Sequence, residues 1–178
     1  WTICLLLLLI LAACQTNELA SVGFLQGDFA FIPFQERVQV IDIGDVANPQ
    51  FVTEFSLPGN VVKVVVEGDF LYIAHSTNAS SWVGDAGPPD AGLQIVDITD
   101  PAQPQMLGHY YSQSLPTDLL FFDDLVYLAT GETIDIVTVK NRQAPRMLNT
   151  LSSSGGRILM RDGERMVANW GGCSLRSG

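Results

Sequence analysis

Leu93-Gln94-Ile95-Val96-Asp97-Ile98-Thr99-Asp100-Pro101-Ala102-Gln103-Pro104 is half strand and half stop signal. Its first six residues are rich in β-favouring side chains. Its second six cannot extend a central strand, because proline has no N–H to give to a ladder. The same reading fits Val38-Gln39-Val40-Ile41-Asp42-Ile43, followed by Gly44 to Pro49. It fits again at Ile134-Asp135-Ile136-Val137-Thr138-Val139, followed by Lys140 to Pro145. The repeat cores are therefore residues 38–49, 93–104 and 134–145, at offsets of 55 and 41.

A second ladder runs between these cores. Gly27-Asp28-Phe29-Ala30-Phe31 matches Gly68-Asp69-Phe70-Leu71-Tyr72, then Asp123-Asp124-Leu125-Val126-Tyr127, and more weakly Gly163-Glu164-Arg165-Met166-Val167. The period is about 41 residues, with fourteen extra residues between Ala74 and Leu93. Each unit reads as four short strands. In the second they are Val61–Val66, Phe70–Ala74, Leu93–Ile98 and Gln105–Tyr110, with a hairpin turn at Glu67-Gly68-Asp69. Four strands per ~40-residue unit make the blade of an all-β propeller. Three blades and the first part of a fourth are present, an open arc, whereas propellers typically close with ~4–8 blades. The chain therefore reads as a fragment.

The cores resemble the LVIVD repeat of bacterial and archaeal surface proteins. The Leu93 copy matches almost letter for letter and the Val38 copy nearly so. The Ile134 copy departs, with Thr138 in place of Asp and Lys140-Asn141-Arg142 in place of the Ser/Thr-Asp-Pro turn. The resemblance implies a propeller over residues 21–178. It also implies that the first strand of each blade lies nearest the axis, and that the second-to-third loops share a rim with the loops between blades.

The N-terminus reads as an address. Ile3 to Ala13 is apolar and uncharged, and too short for the ~20 residues of a membrane-spanning helix. Leu11-Ala12-Ala13-Cys14 resembles a bacterial lipobox. That resemblance makes 1–13 a signal peptide, Cys14 the lipid attachment site and 14–20 a short linker. An ordinary signal peptide is the alternative. Trp1-Thr2 supplies neither the Met nor the basic start expected, which fits a truncated N-terminus. Gln15 is not the Asp of inner-membrane retention, so the reading leans to the outer membrane or cell surface.

Charge narrows the partners. The net charge of −10 argues against nucleic acid, since phosphate binding needs clustered Lys and Arg. Hydrophobic residues at 47% and charged ones at 16% exclude a disordered chain. Three cysteines are too few for a disulfide framework. Residues 1–139 hold Arg37 and Lys63 against seventeen acids, while 140–178 hold seven bases against Asp162 and Glu164. The basic end suits an acidic partner or a set of solvated strand edges.

Candidate sites follow from departures. The insertion from His75 to Gly92 is a long loop on a rim, a place for recognition. Trp82 offers a stacking surface and Asp85 and Asp90 offer oxygens, short of a Ca²⁺ shell. The plain alternative is a loop with Trp82 folded onto its blade. Counting back from each hairpin gives Val22, Lys63, Asp118 and Ile158 in equivalent positions. On inner strands, Lys63 and Asp118 would pair across blades; otherwise they are two solvated charges. Asp42 and Asp97 recur in phase, which assigns them to the repeat rather than to chemistry. His75 and His109 fall in different parts of the repeat and form no ring around the axis. No catalytic group, metal site or cofactor motif assembles.

The reading is a lipid-anchored, envelope-localised scaffold that binds an extracellular protein or glycan. The alternatives are a propeller hydrolase, lyase or oxidoreductase with its active site in other blades, and an assembly domain of a larger surface protein.

Overall fold

A computed structural model describes residues 24–76, 90–131, 133–152, 156–162 and 165–170. The first fourteen residues with Cys14, Val22, most of the insertion with Trp82 and Asp85, and the Gly-rich stretch after Trp170 lie outside them.

The described residues form strands and turns, with no helix among them. Blade 1 holds β1 (Phe24–Gln26), β2 (Phe29–Phe34), β3 (Arg37–Asp42) and β4 (Gln50–Ser56). Blade 2 holds β5 (Asn60–Glu67), β6 (Phe70–Ser76), β7 (Gly92–Asp97) and β8 (Gln105–Tyr111). Blade 3 holds β9 (Pro116–Phe122), β10 (Leu125–Thr130), β11 (Thr133–Thr138) and β12 (Arg146–Ser152). A further hairpin pairs β13 (Gly156–Asp162) with β14 (Arg165–Trp170). Within each blade the strands pair antiparallel in chain order. This is the β-propeller blade, repeated along an open arc. The strands of blade 2 reach slightly beyond the sequence pattern: β6 extends to Ser76 rather than Ala74, and β7 begins at Gly92.

The turns explain the phased aspartates. Asp42 Oδ1 accepts from the Gly44 N–H at 2.8 Å, and Asp97 Oδ1 from the Thr99 N–H at 2.8 Å. Three residues on, Asp45, Asp100 and Asn141 each accept from the N–H two residues ahead, at 3.0, 3.0 and 3.2 Å. These are local side-chain turns that stop the third strand and aim the fourth. The hairpin of blade 3 uses Asp123 and Asp124 at φ 50° and 57°, the left-handed region that short polar side chains tolerate.

Blade 2 is a buried middle layer. Leu71, Ile73, Val96 and Ile98 pack on Phe31, Val38 and Val40 of blade 1. Their alternates Tyr72, Ala74, Leu93 and Ile95 pack on Leu119, Val126, Leu128 and Val137 of blade 3. A strand buried on both faces reads as a near-continuous apolar run, which is why the Leu93 copy is the purest. Truncating one of these side chains to Ala costs about 2–5 kcal/mol. The blades also touch through backbone: a Cβ at Gly108 would stand 2.3 Å from the Arg142 carbonyl oxygen.

The first strands neighbour one another along the arc: β1 meets β5, β5 meets β9, and β9 meets β13. Asn60 at the start of β5 pairs with Ser76 at the end of β6. The link between blades 1 and 2 and the insertion therefore leave the same end of the sheet.

Candidate functional site

The rim of blade 2 collects the chemistry. Lys63 on β5 and Asp118 on β9 meet across the blades, Nζ to Oδ1 at 2.5 Å. Bulges position both: β5 slips register between Val61 and Lys63, and β9 slips opposite Ala129 and Thr130, next to Asp118. An extra residue re-aims the side chains that follow it. The same Asp118 oxygen accepts from the Leu119 N–H at 2.8 Å. Asp118 is buried while the Lys63 side chain keeps 36% of its exposure, so the pair is anchored on one side and wet on the other. It ties neighbouring inner strands in register. Asp90 is exposed at the foot of the insertion. Trp82 and Asp85 lie outside the described residues. Nothing described brings Lys63 or Asp118 to Asp90.

His75 and His109 fall in different parts of the repeat, yet the sheet of blade 2 brings their side chains together. Their Nε2 atoms stand 2.7 Å apart, with ring centroids 4.9 Å apart and planes tilted by 44°. His75 lies on β6 and His109 on β8; β7 runs between them. Gly92 lies opposite His75. It has φ +153°, and a Cβ there would fall 1.9 Å from the Tyr110 carbonyl oxygen. The bare Gly92 lets β8 approach β7 closely, and the two imidazoles meet across β7. Tyr111 meets the His109 ring edge-on at 4.1 Å.

The surroundings keep both rings neutral. Burial first, then the neighbouring His109, pulls His75 down from 6.5 to about 4, with Asp90 opposing. Burial also lowers His109, again opposed by Asp90. The sequence marks a local departure here, with Gly92 where the other blades have Arg37 and Thr133, but nothing in it pairs the two histidines.

A second polar network joins blades 2 and 3. Buried Asp135 accepts from Tyr110 at 3.0 Å, Thr150 at 3.0 Å, Thr133 at 3.3 Å and Ser112 at 3.4 Å. Burial and the hydrogen bond to Asp135 push the Tyr110 phenol up. Arg142, from the divergent turn, donates Nε–H to the Tyr72 hydroxyl at 3.1 Å and sits 4.3 Å above the Phe70 ring. It also lies 3.6 Å from Asp124. Burial raises the Tyr72 phenol, and Arg142 counteracts it. The turn that departs from the repeat is thus a clamp between blades.

Four-stranded sheets linked through their first strands define a β-propeller repeat scaffold with a decorated rim. The chain carries LVIVD repeats, matched at residues 24–56, 58–79 and 83–112. The first match coincides with blade 1, and the other two fall on blade 2 to either side of residues 80–82. Blade 3, the divergent copy, lies outside the matches. No curated protein matches the chain. Among solved structures it is similar to the computationally designed Ika4 protein, at TM-score 0.62 and 13% identity, over 88% of this chain and 90% of that one. It is also similar to the computationally designed Ika8 protein, at TM-score 0.59 and 13% identity, over 86% of this chain and 43% of that one. The chain thus spans less than half of Ika8. These likenesses speak for the fold alone.

Proposed function

We propose that this chain is an exported, lipid-anchored propeller scaffold that binds an extracellular protein or glycan at the rim of blade 2, without catalysing a reaction. The observation that carries it is the insertion. It leaves β6 after Ser76 and returns to β7 at Gly92, yet every backbone pair from Phe70–Asp97 to His75–Gly92 is kept. A long segment added without disturbing its sheet is what a rigid scaffold offers to recognition. The segment carries Trp82, Asp85 and Asp90, an aromatic and two carboxylates suited to a sugar face or a basic patch. Export and anchoring rest on Leu11-Ala12-Ala13-Cys14.

Two experiments test this reading. Metabolic labelling with palmitate should mark the chain and send it to the membrane fraction, and Cys14→Ala should abolish both. Labelling that survives Cys14→Ala overturns the anchor. A glycan array and a panel of purified surface proteins are then probed with the chain and with a variant whose residues 77–89 are replaced by a short Gly-Ser linker. Binding that disappears with the insertion supports the rim site, and equal binding by both chains overturns it.

A further inference from the structure

The two histidines at the foot of the insertion have no role in that binding reading. They are the only histidines of the chain, and the fold brings them together from 34 residues apart. Two neutral imidazoles carry two N–H groups and two bare nitrogens. Their contact uses one of each. What remains is one N–H and one bare nitrogen, on the two Nδ1 atoms; both are buried, and among the described residues the Asp90 backbone alone reaches the His75 ring. As a hydrogen bond alone the pair is poorly satisfied.

We propose that His75 and His109 bind a borderline divalent cation, best Zn²⁺, through their two Nε2 atoms. Imidazole nitrogens suit Zn²⁺, Cu²⁺ or Ni²⁺, whereas Ca²⁺ and Mg²⁺ require oxygen shells. At Zn–N distances of ~2.0–2.1 Å and a tetrahedral angle, the two nitrogens stand about 3.3 Å apart. The observed 2.7 Å must therefore open slightly. Tyr111 holds the His109 ring by its edge. When the cation enters, the proton shared between the Nε2 atoms moves to Nδ1 and none is lost. The rings are already neutral, the state a ligand needs. The field of Asp90 favours positive charge at both rings, and the same field attracts a dication. Among the described residues no three His, Cys, Asp or Glu are grouped to hold an ion. The site is therefore a two-imidazole clip completed by water, with the charge of Asp90 near it. It would fasten the ends of β6 and β8 beneath the insertion.

The test uses the full chain and Zn²⁺. With two histidines, the imidazole ring protons in the NMR spectrum report both ligands directly. Both rings should shift together and saturate at one equivalent. Co²⁺ should give the visible absorption of a four-coordinate ion, removed by Zn²⁺. His109→Gln should weaken Zn²⁺ binding by more than the roughly 10–100-fold that loss of an outer partner costs, and Asp90→Asn by about 10-fold. Should either histidine variant fail to fold, the titration of the unaltered chain decides alone. Ring signals that ignore excess Zn²⁺ overturn the proposal. So does an affinity unchanged in folded His109→Gln, which would place the ion on other groups such as the cysteines.

Discussion

Blades 2 and 3 fill one and the same rim position with different chemistry. In blade 3, Thr133 and Asp135 on β11 meet Thr150 on β12, and hydroxyls converge on a buried carboxylate. In blade 2 the equivalents are Gly92, Gln94 and His109, and His109 meets His75. Gln94 turns to the backbone instead, donating to the Ile95 and Gly108 carbonyls at 2.9 and 3.0 Å. Blade 1 puts an exposed Arg37–Glu54 pair there, at 3.0 Å. One register thus supports a carboxylate hub, an imidazole pair and a surface ion pair. The backbone turns and apolar alternation belong to the repeat; the rim belongs to each blade.

The comparison can be broken most severely at Gly92. Gly92→Val drives a Cβ into the Tyr110 carbonyl, and a loss above ~4 kcal/mol is expected by urea denaturation. At Gly131 a Cβ meets nothing within 4 Å, so Gly131→Ala should stay within about 1 kcal/mol.

Acid sharpens the contrast next. His75 has a folded pKa of about 4 against 6.5 unfolded, so the unfolded chain takes up the proton first. Its contribution is complete above pH 6.5 and is lost as pH falls towards 4, up to about 3 kcal/mol. The groups facing it are His109, Asp90 and, through His109, Tyr111. Denaturation curves between pH 7 and 4 should therefore be flatter for His75→Gln than for the unaltered chain (apart from carboxylate titration common to both). Equal slopes would contradict a buried neutral ring.

Between the blades, Asp118→Ala should cost about 1–3 kcal/mol, because Lys63 and the Leu119 N–H lose their acceptor. A double-mutant cycle with Lys63→Met isolates the pair, and zero coupling would reduce it to two neighbours. Arg142→Met should cost about 1–2 kcal/mol through the Tyr72 hydrogen bond and the Phe70 ring. The smallest effect is expected in blade 1. Arg37→Ala removes an exposed pair and should change stability by less than about 1 kcal/mol.

Much of this was legible in the residues. Blade boundaries follow from Asp and Pro in phase, because turn chemistry is local and survives in one dimension. Lys63 and Asp118 stood out because each is charged where the repeat is apolar, in equivalent positions of adjacent blades. The histidine pair did not stand out. His75 and His109 are not equivalent in the repeat, and their meeting depends on β6 and β8 flanking β7 in the sheet. Arg142 showed as a departure from the repeat, but its partners Tyr72 and Phe70 lie 70 residues or more away on another blade. Contacts of this kind are set by three-dimensional neighbours, not by period.

The central claim is that the insertion is carried by blade 2 and does not hold it up. Replacing residues 77–89 by a short Gly-Ser linker and following amide hydrogen exchange in β6 and β7 tests it most directly. The account predicts protection within about tenfold of the unaltered chain, because the pairs from Phe70–Asp97 to His75–Gly92 survive. Loss of protection across both strands would make the insertion part of the core and contradict the account.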